Sequence, residues 1–358
     1  FKQKTAYEIR NCDWSSDVCS SDLLQTESVM YVTQRTELMA GLFLMLTLYC
    51  FVRSVGSPVV RRWELAAVSA CVLGVGCKEV VAVAPVLVLV YDRLFIARSH
   101  REAWRQRRWM YLGMMVSWVL VGVFLLSAPR GSAVGFGFGE LTPVAYARTQ
   151  LGVLAHYLRL SFWPHPLVAD YHDWPVASGI PPAGWIVLAL LAVTGWGLWQ
   201  GKLWSFLGVV FFLVLAPTSS FLPIITEVAA ERRMYLPLAA VITAVVLATR
   251  RWPRWWIGPV AVACIVGTFQ RNEVYQSPHA FWEDVLAKRP GNGRAHTNYA
   301  NLLMAEGKTA EALKHYRAAV QVSPEIPEIH NNLAYAAFIS GDTVRSEEHT
   351  SELQSQFR

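Results

Sequence analysis

Eight apolar runs separated by short polar breaks constrain this chain more than any other feature. They are Leu38–Val52, Leu65–Cys77, Val80–Ala97, Trp109–Ala128, Trp185–Trp199, Leu203–Leu222, Met234–Thr249 and Trp255–Phe269. Runs of this kind fit helices that cross a bilayer, because in hydrocarbon each segment must satisfy its own backbone polar groups. A crossing takes about 20 residues. Several runs are shorter, so flanking Trp, Tyr and Arg are expected to complete the span, or the bilayer to thin locally. With 54% apolar and only 16% charged residues, the chain is no ordinary soluble domain. Tryptophans gather near run ends (Trp63, Trp104, Trp109, Trp163, Trp185, Trp199, Trp204, Trp252, Trp255, Trp256), as interfacial anchors do. The net charge of +6 therefore speaks to orientation, and no basic arm with interleaved aromatics points to nucleic acid.

Basic residues fall in alternate loops: Arg53, Arg61 and Arg62; Arg98, Arg101, Arg105, Arg107 and Arg108; Lys202; Arg250, Arg251 and Arg254. These are expected to face the cytoplasm. Lys78, Arg130, Arg148, Arg159, Arg232 and Arg233 then lie outside. Asp92 and Arg93, at the inner end of a run, read as an interfacial ion pair. A ninth apolar stretch, Leu151–Trp163, carries His156 and Arg159 and is bounded by Pro164 and Pro166; residues 149–163 are expected to form an interfacial helix. The cysteines outside the amino-terminal segment (Cys50, Cys71, Cys77, Cys264) lie in apolar runs and suggest neither disulfide framework nor zinc spacing.

From about Gln270 the composition turns soluble and helix-forming. Asn298 to Asn332, Ala300 to Ala334, Gly307 to Gly341 and Pro290 to Pro324 are each 34 residues apart. Residues 295–324 resemble a tetratricopeptide repeat, with Tyr299, Ala300, Leu303, Ala312, Tyr316, Ala319 and Pro324 on its core positions. Phe281–Pro290 reads as the second helix of a preceding half-repeat, and Pro327–Ser340 as the first helix of a following one. One complete repeat buries its faces poorly, so more repeats are expected beyond it.

The expected organisation is therefore 24–37, an outer-face amphipathic segment; 38–270, a transmembrane domain; and 271–344, truncated repeats. Residues 1–23 and 345–358 resemble translated sequencing-adaptor reads of the kind found on assembled environmental contigs, and are set aside as foreign to the fold.

Four polar stations fall on the outer face. They are Glu27 with Arg35; Lys78 with Glu79; Gln150, Tyr157 and Arg159 with Asp170-Tyr171-His172-Asp173; and Glu231, Arg232, Arg233 and Tyr235. Ionised groups beside membrane-grade sequence are costly and need a partner or a cavity. Adjacent Lys78 and Glu79 would point about 100° apart on a helix, so each needs a partner elsewhere. His165, Asp170, His172 and Asp173 fix no ligand geometry, and no metal is expected.

The blocks TESVMYVTQRTELMAGLF, GCKEVVAVAPVLVLVYDRLF, TQLGVLAHYLRLSFWPHPLVADYHDWP and LAPTSSFLPIITEVAAERRMYLPLA resemble, in order, those of bacterial tetratricopeptide-containing membrane glycosyltransferases. That family is similar to the protein O-mannosyltransferases and to the animal transmembrane-and-tetratricopeptide mannosyltransferases. The likeness covers Leu24 to Asp342. It implies an all-α fold: a polytopic transmembrane helix bundle of the GT-C type, followed by a soluble tetratricopeptide helical-hairpin domain. It also implies transfer of a sugar, mannose by family likeness, from a polyprenyl-phosphate donor to a hydroxyl on the extracytoplasmic side of a bacterial inner membrane. The repeats would engage the acceptor protein or glycan. Arg232, Arg233, Lys78, Arg35 and Arg159 are the expected donor-phosphate and sugar contacts. Glu27, Glu79, Gln150, Tyr157, Asp170, Tyr171, Glu231 and Tyr235 are the expected supporting polar groups. Inverting transfer needs a carboxylate base near the acceptor hydroxyl and cations on the departing phosphate. The family's base lies upstream of the position of Thr26, so no catalytic residue is assigned, and the chain as written is expected to be inactive.

Two other readings compete. A membrane-anchored scaffold would bind partners through its repeats, but has no use for four charged stations on one side. A transporter would place ionisable groups at mid-span on paired broken helices, a pattern absent from the sequence.

Overall fold

The computed structural model describes residues 35–97, 99–127, 142–219, 227–253, 255, 257–324 and 326–341. The adaptor-like ends, Glu27 and the amphipathic segment before Arg35 lie outside the described residues, as does the side chain of Arg35. Every regular element among the described residues is helical. The chain divides into two compact units. One comprises described residues between Leu24 and His165 and between Pro175 and Ala261, and the other Pro166–Trp174 with those from Val262 onward.

The first unit begins with α1 (Arg35–Ser54), α2 (Val60–Cys77), a 3-10 turn Glu79–Val83 and α3 (Ala84–Tyr91). It continues through α4 (His100–Ser127), α5 (Pro143–Phe162), α6 (Gly184–Trp199), α7 (Ser205–Leu215), a 3-10 turn Glu231–Met234 and α8 (Tyr235–Ala248). The apolar run Val80–Ala97 is not one straight helix. Lys78 is extended (φ −161°, ψ 140°), Pro85 stands at the start of α3 with no N–H to give, and Asp92–Ile96 is a π turn closed by Ala97 N–H donating to Asp92 O at 2.8 Å. A core of Leu44, Phe51, Cys71, Val81, Leu87, Met110, Met114 and Val214 ties α1, α2, α3, α4 and α7 together.

Among the described residues, Thr36–Ser54 is the helix both long and apolar enough to cross a membrane by itself; Gly184–Trp199 and Ser205–Leu215 are apolar but shorter. At 1.5 Å per residue, the 16 residues of α6 reach about 24 Å.

Asp92 and Arg93 do not pair with each other. Asp92 is fully buried and accepts from Arg107 Nη1 at 2.9 Å on both oxygens and from Tyr111 Oη at 2.8 Å, while Arg93 donates to Trp199 O at 3.4 Å. The helix backbone leaves helical geometry at Arg107 (φ −127°, ψ 22°), the point from which the guanidinium reaches Asp92. Adjacent residues on a turn point apart, so the nearer cation in sequence is not the nearer in space.

The second unit carries α9 (Ile257–Val274) from Val262 onward, α10 (Pro278–Lys288), α11 (Gly293–Ala305), α12 (Thr309–Val322) and α13 (Pro327–Ile339). Ser277 caps α10, its Oγ accepting from Ala280 N–H at 3.0 Å with Pro278 as first residue. Ala300, Leu303, Ala312 and Tyr316 are buried together, where the repeat pattern places them, and Ala319 is buried too; Tyr299 packs half-buried against the cluster, whereas Pro324 is exposed. Gly307 and Gly341, one period apart, have φ +77° and +85°, the left-handed conformation that ends a helix. Both positions therefore require glycine for the same reason.

Between α11 and α12, Nδ1 of His296 and Nδ1 of His315 stand 3.0 Å apart, and His296 Nε2 is 3.0 Å from Pro290 O. A carbonyl only accepts, so His296 Nε2 carries the hydrogen and His315 Nδ1–H donates to His296 Nδ1. Burial, then the neighbouring His296, holds the His315 pKa below its ordinary value. The unfolded chain thus binds more protons in acid. The stability this histidine contributes is complete above about pH 6.5 and is lost as pH falls from there towards its folded pKa. Thermal melts of the repeats are expected to show Tm falling between pH 7.5 and 5, with a shallower fall in His315→Gln; an identical slope in that variant would refute the assignment.

Candidate functional site

The site is assembled at helix ends of the first unit. Gly74 brings α2 close to its neighbours: a Cβ there would stand 2.7 Å from Phe43 Cβ on α1 and 2.8 Å from Val81 Cγ1. α2 ends at Cys77, and the extended Lys78 sends its side chain back to α1, where Nζ pairs with Glu37. Glu37 is buried in the first turn of α1, where a carboxylate also complements the helix dipole. Glu79, the next residue after Lys78, is exposed.

The other wall comes from the stretch before α8. The face of α5 carrying Tyr146, Thr149, Gln150, Val153, Leu154, Tyr157 and Leu160 is buried. Its polar members fix backbone. Gln150 Nε2 donates to Val228 O at 2.9 Å, Tyr157 Oη accepts from Ala230 N–H at 2.7 Å, and Tyr146 Oη donates to Thr218 O at 3.2 Å. Glu231, Arg232 and Arg233 follow directly, all buried. Arg232 pairs with Glu227. Arg233 donates to the carbonyls of Thr218 (3.2 Å), Val228 (3.3 Å) and Glu227 (2.6 Å). Those acceptors are neutral, so they orient the guanidinium without cancelling its charge.

Glu37, Lys78, Thr218, Arg233 and Tyr235 line one small pocket with Val80, Val214 and Leu236. Tyr235 reaches it across Gly41, where a Cβ would meet the tyrosine ring at 2.9 Å. Two cations, one carboxylate, two hydroxyls and an apolar rim suit an anion that carries an apolar group. An anionic ligand would compete with Glu37 for Lys78.

The structure thus brings Lys78, Arg233 and Tyr235 into one pocket and places Gln150 and Tyr157 behind it as backbone supports. Arg159 is exposed and donates to His165 O at 3.3 Å. Asp170 and Tyr171 lie in the other unit, against the repeats. Their loop has no periodicity to tell which body it packs on. The sequence reading missed Glu37; its signal was a carboxylate opening the most apolar long helix, where an ionised group must have a partner. Among the described residues, no group of three or more His, Cys, Asp or Glu is placed to hold a metal ion.

A family model described as TPR repeat matches residues 300–340. Human Protein O-mannosyl-transferase TMTC1 is 28% identical over 137 residues, which cover 35% of this chain and 16% of the human protein. The mouse protein of the same name is 35% identical over 66 residues, 18% of this chain and 7% of its own length. The chain is similar to small parts of these relatives.

Proposed function

We propose that this chain is a GT-C-type, O-mannosyltransferase-like membrane glycosyltransferase bearing tetratricopeptide repeats, and that it acts at the extracytoplasmic face of a bacterial inner membrane. It moves a sugar from a polyprenyl-phosphate donor to an acceptor hydroxyl, and the repeats engage the acceptor protein. The observation that carries this reading is the convergence of Glu37, Lys78 and Arg233, far apart in sequence, on one pocket with an apolar rim. A polyprenyl phosphate has the matching chemistry, an anion on a hydrocarbon chain. Likeness to a mannosyltransferase and a repeat of a kind that binds proteins support the same reading.

Placement as a multi-span bundle rests on the outward side chains. Trp185, Ile186, Trp196 and Trp199 on α6, and Ile242, Val246 and Leu247 on α8, are all at least half exposed. Water would oppose apolar faces of that extent, and lipid would not. Helices shorter than the hydrocarbon thickness complete their crossing with the adjoining turns.

In the reaction, the acceptor oxygen attacks the anomeric carbon, the bond from that carbon to the phosphate oxygen breaks, and polyprenyl phosphate departs with the electron pair. Arg233 and Lys78 stabilise the charge growing on that phosphate. Glu37 neutralises Lys78 until the donor arrives. The base that takes the hydroxyl proton is not assigned to a described residue. A scaffold that only binds partners has no use for such a pocket.

The test is photo-labelling of the purified chain in detergent with a crosslinkable polyprenyl phosphate. Labelling is expected on peptides around Lys78 and Arg233, competed by polyprenyl phosphate far better than by polyprenol, and lost in Lys78→Met. Equal competition by polyprenol would overturn the reading.

A further inference from the structure

We infer that the turn joining α10 to α11 is a recognition site for an acidic, aromatic peptide, and that residues 166–174 of the same chain are its resident ligand. This inference is independent of the glycosyl-transfer reading.

The segment contains Asp170-Tyr171-His172-Asp173-Trp174, in which each aspartate is followed by an aromatic. Both aspartates are claimed by the turn. Asp170 Oδ2 accepts from Arg294 Nε at 2.7 Å and pairs with its Nη2 at 2.7 Å. Asp170 Oδ1 accepts from Asn292 Nδ2 at 3.2 Å and from the backbone N–H of His172 at 2.8 Å, so the carboxylate also shapes the peptide that carries it. Asn292 is fully buried and serves two ends. Its Oδ1 caps α11 by accepting from Ala295 N–H at 2.9 Å, which leaves Nδ2 free to donate to both the carboxylate and the carbonyl of Asp170. The cap residue of a repeat helix is thus also the reader of a carboxylate.

Arg289 reads the second half of the motif. It donates to Asp173 Oδ1 at 2.8 Å while its guanidinium carbon stands 4.9 Å from the ring centre of Tyr171 and 5.4 Å from that of Trp174. A planar cation can hold a carboxylate in its plane and rings against its faces; an ammonium cannot do both. Lys288 Nζ adds a bond to Leu167 O at 2.8 Å. Asp170 and Tyr171 are 8% and 2% exposed, so the ligand is seated rather than resting on the surface. A partner protein offering Asp-aromatic twice, three residues apart, would compete for the same turn.

Hydrogen exchange on the whole chain tests this directly. Amides of 166–174, that of His172 above all, are expected to be protected in the native chain and to exchange about tenfold faster or more in Arg294→Asp, with α12 unchanged. The charge swap Asp170→Arg with Arg294→Asp is expected to restore part of that protection. A fluorescent synthetic peptide of residues 166–174 should bind the Asp170→Lys, Asp173→Lys chain and bind the native chain at least about tenfold more weakly, because the resident segment holds the site. Unchanged exchange in Arg294→Asp, or equal peptide binding by native and evicted chains, would overturn the inference. Should the evicted chain fail to fold, the exchange measurement on Arg294→Asp decides by itself.

Discussion

Arg233→Met is expected to lower sugar transfer by about 10²- to 10³-fold, the usual effect of removing one fixed donor from a developing negative charge. The fold should survive it. Thr218 O and Val228 O keep their bonds from Tyr146 and Gln150, and Tyr157 still holds Ala230 N–H, so of the three acceptors Arg233 serves, only Glu227 O loses the bond described for it. Arg233→Lys should restore little, because a single ammonium cannot meet three carbonyls and a phosphate in one plane. The measurement is the initial rate of label transfer from polyprenyl-phosphate mannose to periplasmic acceptor proteins, using a longer protein that supplies the loop upstream of Thr26. Native rates in a folded Arg233→Met protein would remove the phosphate role assigned to this residue.

Arg107→Met is expected to be the most destabilising single change, at about 3–5 kcal/mol, because it leaves the buried Asp92 carboxylate without its cation. Tyr111 Oη remains, but one hydroxyl does not offset a buried negative charge. Adding Asp92→Asn should recover most of the loss, since an amide carries no charge and can still accept from Tyr111. Denaturant unfolding in detergent, arranged as a double-mutant cycle over Asp92 and Arg107, measures the coupling. If the single and double variants are equally unstable, the pair is not what holds this end of the unit together.

How far these features could be read in advance depends on their range along the chain. The repeat was legible because its signal is local and periodic: Gly307 and Gly341 recur at 34 residues, and both need the same left-handed backbone. The helix at 149–163 was legible as a helix, and the structure starts it earlier, at Pro143, where Thr142 caps it by accepting from Ala145 N–H. That Lys78 and Arg233 are polar islands could be seen, whereas their shared pocket depends on the fold bringing α2 to the start of α8. Glu37 was overlooked because it sits at a boundary, ending a polar stretch and opening an apolar one. The pairing of Asp170 with Asn292 and Arg294 was not legible, because those partners lie more than a hundred residues downstream with nothing in the intervening sequence to announce it.

The π turn at Asp92–Ile96 has a consequence for kinship. Its wide ring holds one residue more than an α turn would, so a chain lacking a single residue there could close the same stretch as ordinary helix. Because the wide turn absorbs that residue within one revolution, the helix faces before and after it would keep their directions, and Asp92 would still be aimed at the same neighbour. Homologous chains should accordingly keep the aspartate and the arginine together, fifteen places apart where the extra residue is present and fourteen where it is not.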